Sequence, residues 1–153
     1  PHHANFRKRM VKNPKLYFLD PGLAVWLLGI ETAQQLHTHP LRGSLFETWV
    51  VSELIKNRFN SGEVSNLYFW RDHRGLEIDV LVDQTGLLIP IEVKSGATVH
   101  SSCFAGLRAW QTLAEKEGEA GWVIFGGEQK QSRENLRAVP WREIDTVLRS
   151  LSV

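Results

Sequence analysis

The chain is poor in sulfur. Its 153 residues include one methionine and one cysteine, Cys103. A single cysteine excludes an internal disulfide and, with no secretory segment, leads us to expect a reducing cytoplasmic environment. No Cys-x-x-Cys pair is present, which argues against a structural zinc site. No apolar run approaches the roughly 20 residues that span a bilayer, so we expect no membrane partner.

The chain also lacks an excess of charge of either sign. Eighteen Lys and Arg residues against 17 Asp and Glu give a formal net charge of +1, so any nucleic-acid-binding surface must be local. The densest basic stretch is residues 1–15, which is either a phosphate-contacting arm or a solvated chain end. There is no G-x-x-x-x-G-K-[ST] motif, and the sequence therefore has no P-loop for ATP.

What is present is a stretch, residues 75–94, with the pattern of a β-hairpin. Two apolar runs rich in Val, Ile and Leu, residues 76–83 and 87–94, flank a short connection that contains Gly86. This arrangement predicts two antiparallel strands. Side chains in a strand alternate between its faces, so each strand should present one wholly apolar face and one mixed face.

Two carboxylates interrupt the apolar runs of this hairpin. Asp79 lies in the first run and Glu92 in the second, and Lys94 follows two residues later. A buried carboxylate is costly unless it is paired or binds a metal. Mg²⁺ is usually held by one or two carboxylates together with phosphate and water. We interpret Asp79 and Glu92 as ligands of Mg²⁺ (or Mn²⁺), with Lys94 placed to orient a water and offset charge on a phosphate. The alternative is a structural ion pair.

Three further charged residues belong to the candidate site. Arg71 and Arg74 lie at the end of an aromatic strand predicted over 66–71 and in the turn after it. They either contact the phosphates of a nucleic acid or occupy a surface turn. Glu47 borders the apolar face of a helix predicted over 43–59. It is either a partner of the helix dipole or an acidic member of the metal cluster.

The rest of the chain alternates helices and strands. Before the hairpin, the patterns predict a strand at 15–19, a helix capped by Asp20 and Pro21, and a polar connector over 31–42. After it, they predict a helix over 100–117, a strand over 121–126 and a polar loop over 127–134. An edge strand over 136–139 and a helix over 141–151 follow. The helix between the hairpin and the 121–126 strand makes a crossover, so the sheet should be mixed. Pro90 has no N–H for a ladder, which predicts a local irregularity there.

The order of these charged residues resembles the PD-(D/E)XK nuclease superfamily, which has the restriction-endonuclease-like fold. The letters GSLFE at 43–47 resemble the G-x-x-F-E helix of its Holliday-junction-resolvase branch, and IEVK at 91–94 matches E-x-K. Asp79 stands at the place of the central aspartate, with Ile78 before it instead of proline.

This resemblance implies an α/β fold with a restriction-endonuclease-like core, in which helices flank a mixed β-sheet in the order αβββαβ. A short N-terminal strand–helix extension would precede that core. The resemblance further implies a catalytic set of Glu47, Asp79, Glu92 and Lys94, with Asp79 and Glu92 as the metal ligands.

A longer resemblance runs over nearly the whole chain. The letters KLYFLDPGL at 15–23, YFWRDHRGLEID at 68–79 and PIEVKSG at 90–96 are similar to the C-terminal domain of unknown function of a group of prokaryotic AAA-type ATPases. This implies that residues 1–30 are an N-terminal extension, the tail of a winged-helix region, and that residues 31–153 are the nuclease-like domain. It also implies an N-terminal ATPase region of the same polypeptide as a partner.

Two functions follow from these patterns and stay open at this point. The first is a Mg²⁺-dependent hydrolase of DNA phosphodiesters. The second is a catalytically inactive module that binds nucleic acid or protein and regulates the attached ATPase. A third interpretation, a structural domain that forms homo-oligomers, draws on the six tryptophans of the chain.

Overall fold

The computed structural model describes residues 14–73, 75–115 and 120–151. These residues separate into two compact units, one spanning Lys15–Ser65 and the other beginning at Asn66. The first unit is helical and the second contains the sheet. The predicted division of the chain near residue 30 stays a prediction.

The first unit contains the helices α1 (Pro21–Leu27), α2 (Ala33–Thr38) and α3 (Arg42–Asn60). Helix α1 begins as predicted, with the Asp20 carboxylate accepting the N–H of Gly22 at 2.8 Å. Helix α3 confirms the long helix predicted over 43–59.

Two predictions in this unit are wrong. Residues 15–19 form no strand, because a strand needs a neighbour to pair with and the described elements of this unit are helices. The connector predicted over 31–42 contains helix α2, which a capping box between Thr32 and Gln35 starts.

The second unit is built on a six-stranded mixed sheet with the strand order β1-β2-β3-β4-β6-β5. The strands are β1 (Leu67–Arg71), β2 (Glu77–Gln84), β3 (Leu87–Lys94), β4 (Gly121–Phe125), β5 (Gln131–Arg133) and β6 (Leu136–Pro140). Strands β1, β2 and β3 are antiparallel neighbours, β3, β4 and β6 are parallel neighbours, and β5 runs antiparallel to β6. The predicted hairpin and the predicted mixed sheet are thus confirmed.

The helices of this unit are α4 (Ala105–Ala114), preceded by a 3-10 turn over Ser101–Phe104, and α5 (Ile144–Leu151), preceded by a 3-10 turn over Trp141–Glu143. Helix α4 connects the parallel strands β3 and β4, as the crossover argument requires. Across the described ranges, no helix combines the length and the apolar character needed to cross a membrane.

Two details of the sheet differ from the prediction. The loop predicted over 127–134 contains β5, so β5 and not β6 is the edge strand. The β2–β3 register passes through Pro90 without a shift. Pairing between β3 and β4 starts at Ile91, so the missing N–H of Pro90 falls before that ladder. The irregularity lies in the β1–β2 pairing, where the two steps from Tyr68 to Trp70 oppose three steps of β2, from Leu81 to Ile78.

The core of the sheet unit lies between one face of the sheet and α4. Its buried members include Phe104, Leu107 and Trp110 from the helical side and Val123 and Leu136 from the strands. Cys103 packs at the margin of this cluster, which confirms its prediction as a small core residue. We call the side of the sheet that faces this cluster the α4 face.

Candidate functional site

The register of the hairpin brings Asp79 and Glu92 to the same face of the sheet. Val80 lies opposite Ile91, so the residues next to them, Asp79 and Glu92, both turn to the other face. That face is the α4 face, because Glu92 pairs with the core residue Val123 of β4. The predicted alternation holds in β3 but breaks in β2, because Ile78 and Leu81 both belong to the α4-face cluster and an extra β2 residue lies between them in the β1–β2 register.

A backbone contact fixes the orientation of Asp79. The N–H of Val93 donates a hydrogen bond to Asp79 Oδ2 at 2.8 Å. This bond ties the side chain of β2 to the backbone of β3, one residue after Glu92. The two carboxylates are thus held by adjacent strands rather than by loops, which favours a defined geometry.

Lys94, the last residue of β3, completes this group. Its Nζ donates to Glu92 Oε2 at 2.7 Å and lies 3.9 Å from Asp79 Oδ2. The Glu92 side chain is only 7% exposed, whereas the Lys94 side chain is 41% exposed. Lys94 therefore pairs with a buried carboxylate while part of its own side chain stays in contact with solvent. We call Asp79, Glu92 and Lys94 the hairpin triad.

Burial raises the pKa of Glu92 to about 7, and the neighbouring charge of Asp79 adds to the rise. The hydrogen bond and the charge of Lys94 act in the opposite direction without cancelling it. For Lys94, burial lowers the pKa, but the hydrogen bond and charge of Glu92, with smaller contributions from Asp79 and Cys103, outweigh it and raise the pKa overall. The difference follows from exposure, since Lys94 stays partly hydrated and keeps its charge more easily than Glu92 does.

Helix α4 contacts the Glu92 carboxylate at Gly106. A Cβ atom at this position would lie 3.2 Å from Glu92 Cδ and closer still to Oε1. The sequence analysis did not single out Gly106. The signal for it was a lone glycine inside a helical pattern, which often marks a close approach of another group.

Of the residues expected to contact nucleic acid, the structure describes Arg71 but not Arg74 or residues 1–13. Arg71 ends β1, and its Nε lies 3.7 Å from Glu77 Oε2, its partner across the β1–β2 ladder. Its side chain is 49% exposed. Arg74 lies outside the described residues, as does the basic stretch up to residue 13. Their contact with nucleic acid stays a prediction.

Glu47 belongs to the helical unit and is engaged there. Its Oε1 accepts hydrogen bonds from Lys15 Nζ at 2.9 Å and from the Tyr17 hydroxyl at 2.5 Å. These contacts account for the partly buried carboxylate on α3 without a metal. Its role in an acidic cluster with the hairpin stays a prediction.

The hairpin triad supplies two carboxylates as potential metal ligands. Within the described ranges, no three His, Cys, Asp or Glu side chains come together as a ligand set. Two carboxylates suit a Mg²⁺ site that phosphate and water complete, and they do not suit an all-protein cage. Burial and the charge of Asp79 raise the pKa of Glu92, and Lys94 offsets only part of this rise. A divalent cation held by both carboxylates would favour their ionised forms, so the residues present fit the predicted ion.

Comparison with known proteins places most of this chain in one family. A model of a family described as "Domain of unknown function (DUF4143)" matches residues 42–144, and another domain of unknown function (DUF8612) matches residues 1–34. Uncharacterized proteins of Mycobacterium tuberculosis and Mycobacterium bovis are each 33% identical to this chain over 98 residues.

The match covers 64% of this chain but 21% of each mycobacterial protein, so the chain spans about a fifth of the length of these relatives. No solved structure matches the chain. The region matched by the first family includes the whole hairpin triad and helix α4. The chain therefore belongs to the DUF4143 family of domains of unknown function.

Proposed function

We propose that this chain is a restriction-endonuclease-like domain of the PD-(D/E)XK type that hydrolyses DNA phosphodiesters with Mg²⁺ or Mn²⁺, within a longer protein that carries a P-loop ATPase. One observation carries the proposal. The strand register and Lys94 draw Asp79 and Glu92 into one cluster, with Lys94 Nζ 2.7 Å from Glu92 and 3.9 Å from Asp79. These are the residues of the Asp…Glu-x-Lys pattern.

Asp79 and Glu92 would hold the metal ion. When bound, such an ion polarises a phosphoryl oxygen and lowers the pKa of a coordinated water. The Val93 N–H keeps Asp79 turned toward β3, and helix α4 restricts where the Glu92 carboxylate can move. Both restraints hold the ligands in place before the ion arrives, which raises affinity because less freedom is lost on binding.

Lys94 would have two roles in this proposal. Without metal, its ammonium group balances part of the charge of Glu92. With metal and substrate bound, the partly exposed amine is placed to donate a hydrogen bond to the attacking water or to a phosphate oxygen and to offset the negative charge that develops there.

Calorimetric titration with Mn²⁺ tests the site. We expect the wild-type chain to bind Mn²⁺ and Asp79→Ala to lose that binding with its fold intact. Asp83→Ala is the matched control, since Asp83 is a carboxylate on the same strand whose Oδ1 caps the hairpin turn by accepting the N–H of Gly86. Wild-type protein that fails to bind Mn²⁺, even with a non-cleavable DNA analogue present, would overturn the proposal.

A second candidate is a catalytically inactive module that binds nucleic acid or a partner protein and regulates the attached ATPase. The observation that favours it is the short Lys94–Glu92 contact, which is also the geometry of a structural ion pair. DNA cleavage by the wild type that disappears in both Asp79→Ala and Lys94→Ala would exclude it. DNA binding without metal binding or cleavage in any variant would support it.

A further inference from the structure

Two arginines from different elements share one aromatic ring on the α4 face. The guanidinium carbon of Arg133, on β5, lies 5.1 Å from the centroid of Phe104, and that of Arg108, on α4, lies 5.9 Å from the same centroid. The Phe104 residue itself is fully buried. We call Arg108 and Arg133 the Phe104 arginine pair.

No carboxylate among the described residues pairs with either guanidinium group. Within that part of the chain, two positive charges thus adjoin one aromatic ring without a carboxylate partner. Each cation–π contact at an exposed site stabilises the fold by only about 0.5–1 kcal/mol, and repulsion between like charges lowers that gain. An arrangement that contributes little to stability yet is built from two separate elements points to a ligand with negative charge.

The pair lies on the same face of the sheet as the hairpin triad. Arg133 is opposite Leu136 in the β5–β6 register, and Leu136 belongs to the cluster packed against α4. Glu92 is opposite Val123, a member of the same cluster. Both groups therefore border one continuous layer of packing, the triad at β2 and β3 and the arginines toward the β5 edge.

We infer that the Phe104 arginine pair binds the phosphate backbone of DNA and holds the strand whose cleavage we assign to the hairpin triad. A cation–π contact restricts the position of each guanidinium group and uses none of its N–H donors. A guanidinium group can bind the oxygens of a phosphate through two parallel N–H···O hydrogen bonds. This inference rests on the proposed function for the choice of DNA as the anion.

Fluorescence anisotropy with a short labelled DNA duplex tests the inference. The titrations are done in EDTA, so that neither metal binding nor cleavage enters the result. We expect Arg108→Gln together with Arg133→Gln to weaken binding by roughly tenfold or more, and to lower the slope of log K against log salt by about 2. The single variants should each lower that slope by about 1.

Arg137→Gln is the matched control. Arg137 also makes a cation–π contact, with its guanidinium carbon 5.4 Å from the Trp122 centroid. It lies on the opposite face of the sheet, since its register partner Trp122 is paired with Ile91 and not with Glu92. We expect this variant to bind DNA like the wild type apart from the small effect of one lost charge.

Equal losses in Arg137→Gln and in the Arg108 and Arg133 variants would overturn the inference in favour of unspecific attraction by net charge. Wild-type affinity and salt slope in the double variant, or no DNA binding by the wild type, would overturn it as well. Should the double variant unfold, Arg108→Gln alone decides, because the Arg108 side chain is exposed. If the proposed metal site is wrong but this inference is right, calorimetry will detect no Mn²⁺ binding, and DNA binding will still depend on Arg108 and Arg133.

Discussion

Gly106 and Glu92 fill complementary space, because a Cβ atom on Gly106 would lie 2.5 Å from Glu92 Oε1. Real Cβ atoms do not approach another atom this closely, so any side chain at position 106 must move the carboxylate or the helix. The close packing of α4 against β3 therefore depends on a residue without a side chain. The same packing sets the position of a carboxylate that we assign to metal binding.

Gly106→Ala should destabilise the protein although it replaces glycine within a helix. At an unobstructed helical site this change stabilises by about 0.5–1 kcal/mol, but forced overpacking costs about 1–3 kcal/mol. We expect the free energy of unfolding, measured by urea denaturation, to fall by about 1–2 kcal/mol. In a Glu92→Ala background the same substitution should be neutral or stabilising. Gly96→Ala is the control, since a Cβ there meets nothing within 4 Å.

The stability of the folded chain should depend on the ionisation of Glu92. Its pKa is 4.5 when unperturbed and about 7 in the folded protein, so between these pH values the folded state binds more protons than the unfolded state. The contribution of this group to the free energy of unfolding therefore decreases as the pH rises from about 4.5 to 7. Urea denaturation at several pH values should show a loss on the order of 1–3 kcal/mol that Glu92→Gln lacks. Parallel pH profiles of the two proteins would contradict this assignment.

Metal binding should compete with the proton on Glu92. A carboxylate must be ionised to bind a cation, so the affinity for Mn²⁺ should rise up to about pH 7, the folded-state pKa. Affinity at one pH unit below this pKa should be about tenfold lower than well above it. Calorimetry in buffers of different ionisation enthalpy should detect proton release below pH 7 and almost none above. An affinity independent of pH across this window would mean that Glu92 is not a ligand.

The hairpin could be predicted because its signals are local. The alternation of apolar residues shows that Asp79 and Glu92 each interrupt an apolar run, whereas the register between β2 and β3, which brings the two strands together, comes from the structure. The capping box at Thr32 and Gln35 is also a local signal. Helix α2 escaped prediction because it is only six residues long and polar, so its apolar periodicity is weak.

The features that escaped prediction depend on contacts between distant residues. Strand β5 is three polar residues whose strand character comes from pairing with β6. Gly106 is important because its helix packs against Glu92, fourteen positions earlier in the chain. Arg133 on β5 and Arg108 on α4 both contact the ring of Phe104. Local secondary-structure propensity contains no information about such tertiary contacts.

Lys94→Met should separate metal binding from catalysis. The methionine keeps a similar apolar stem but removes the ammonium group that lies 2.7 Å from Glu92 Oε2. Because Lys94 lowers the pKa of Glu92, its removal raises that pKa further, so the titrations are compared over a range of pH. Where both carboxylates are ionised, a divalent ion binds without displacing an ammonium group, and we expect the Mn²⁺ affinity there to rise severalfold. The proposed DNA cleavage should fall by about a hundredfold or more, because the group that offsets transition-state charge is lost.

Calorimetry and a single-turnover cleavage assay on the same samples measure both effects. If Lys94 served only to balance Glu92, added metal would replace it and the variant would cleave DNA as fast as the wild type at saturating Mn²⁺. Unchanged cleavage would therefore remove Lys94 from the chemistry and leave it as a structural partner of Glu92. Tighter metal binding with lost cleavage would establish that the exposed amine at the end of β3 acts on the substrate.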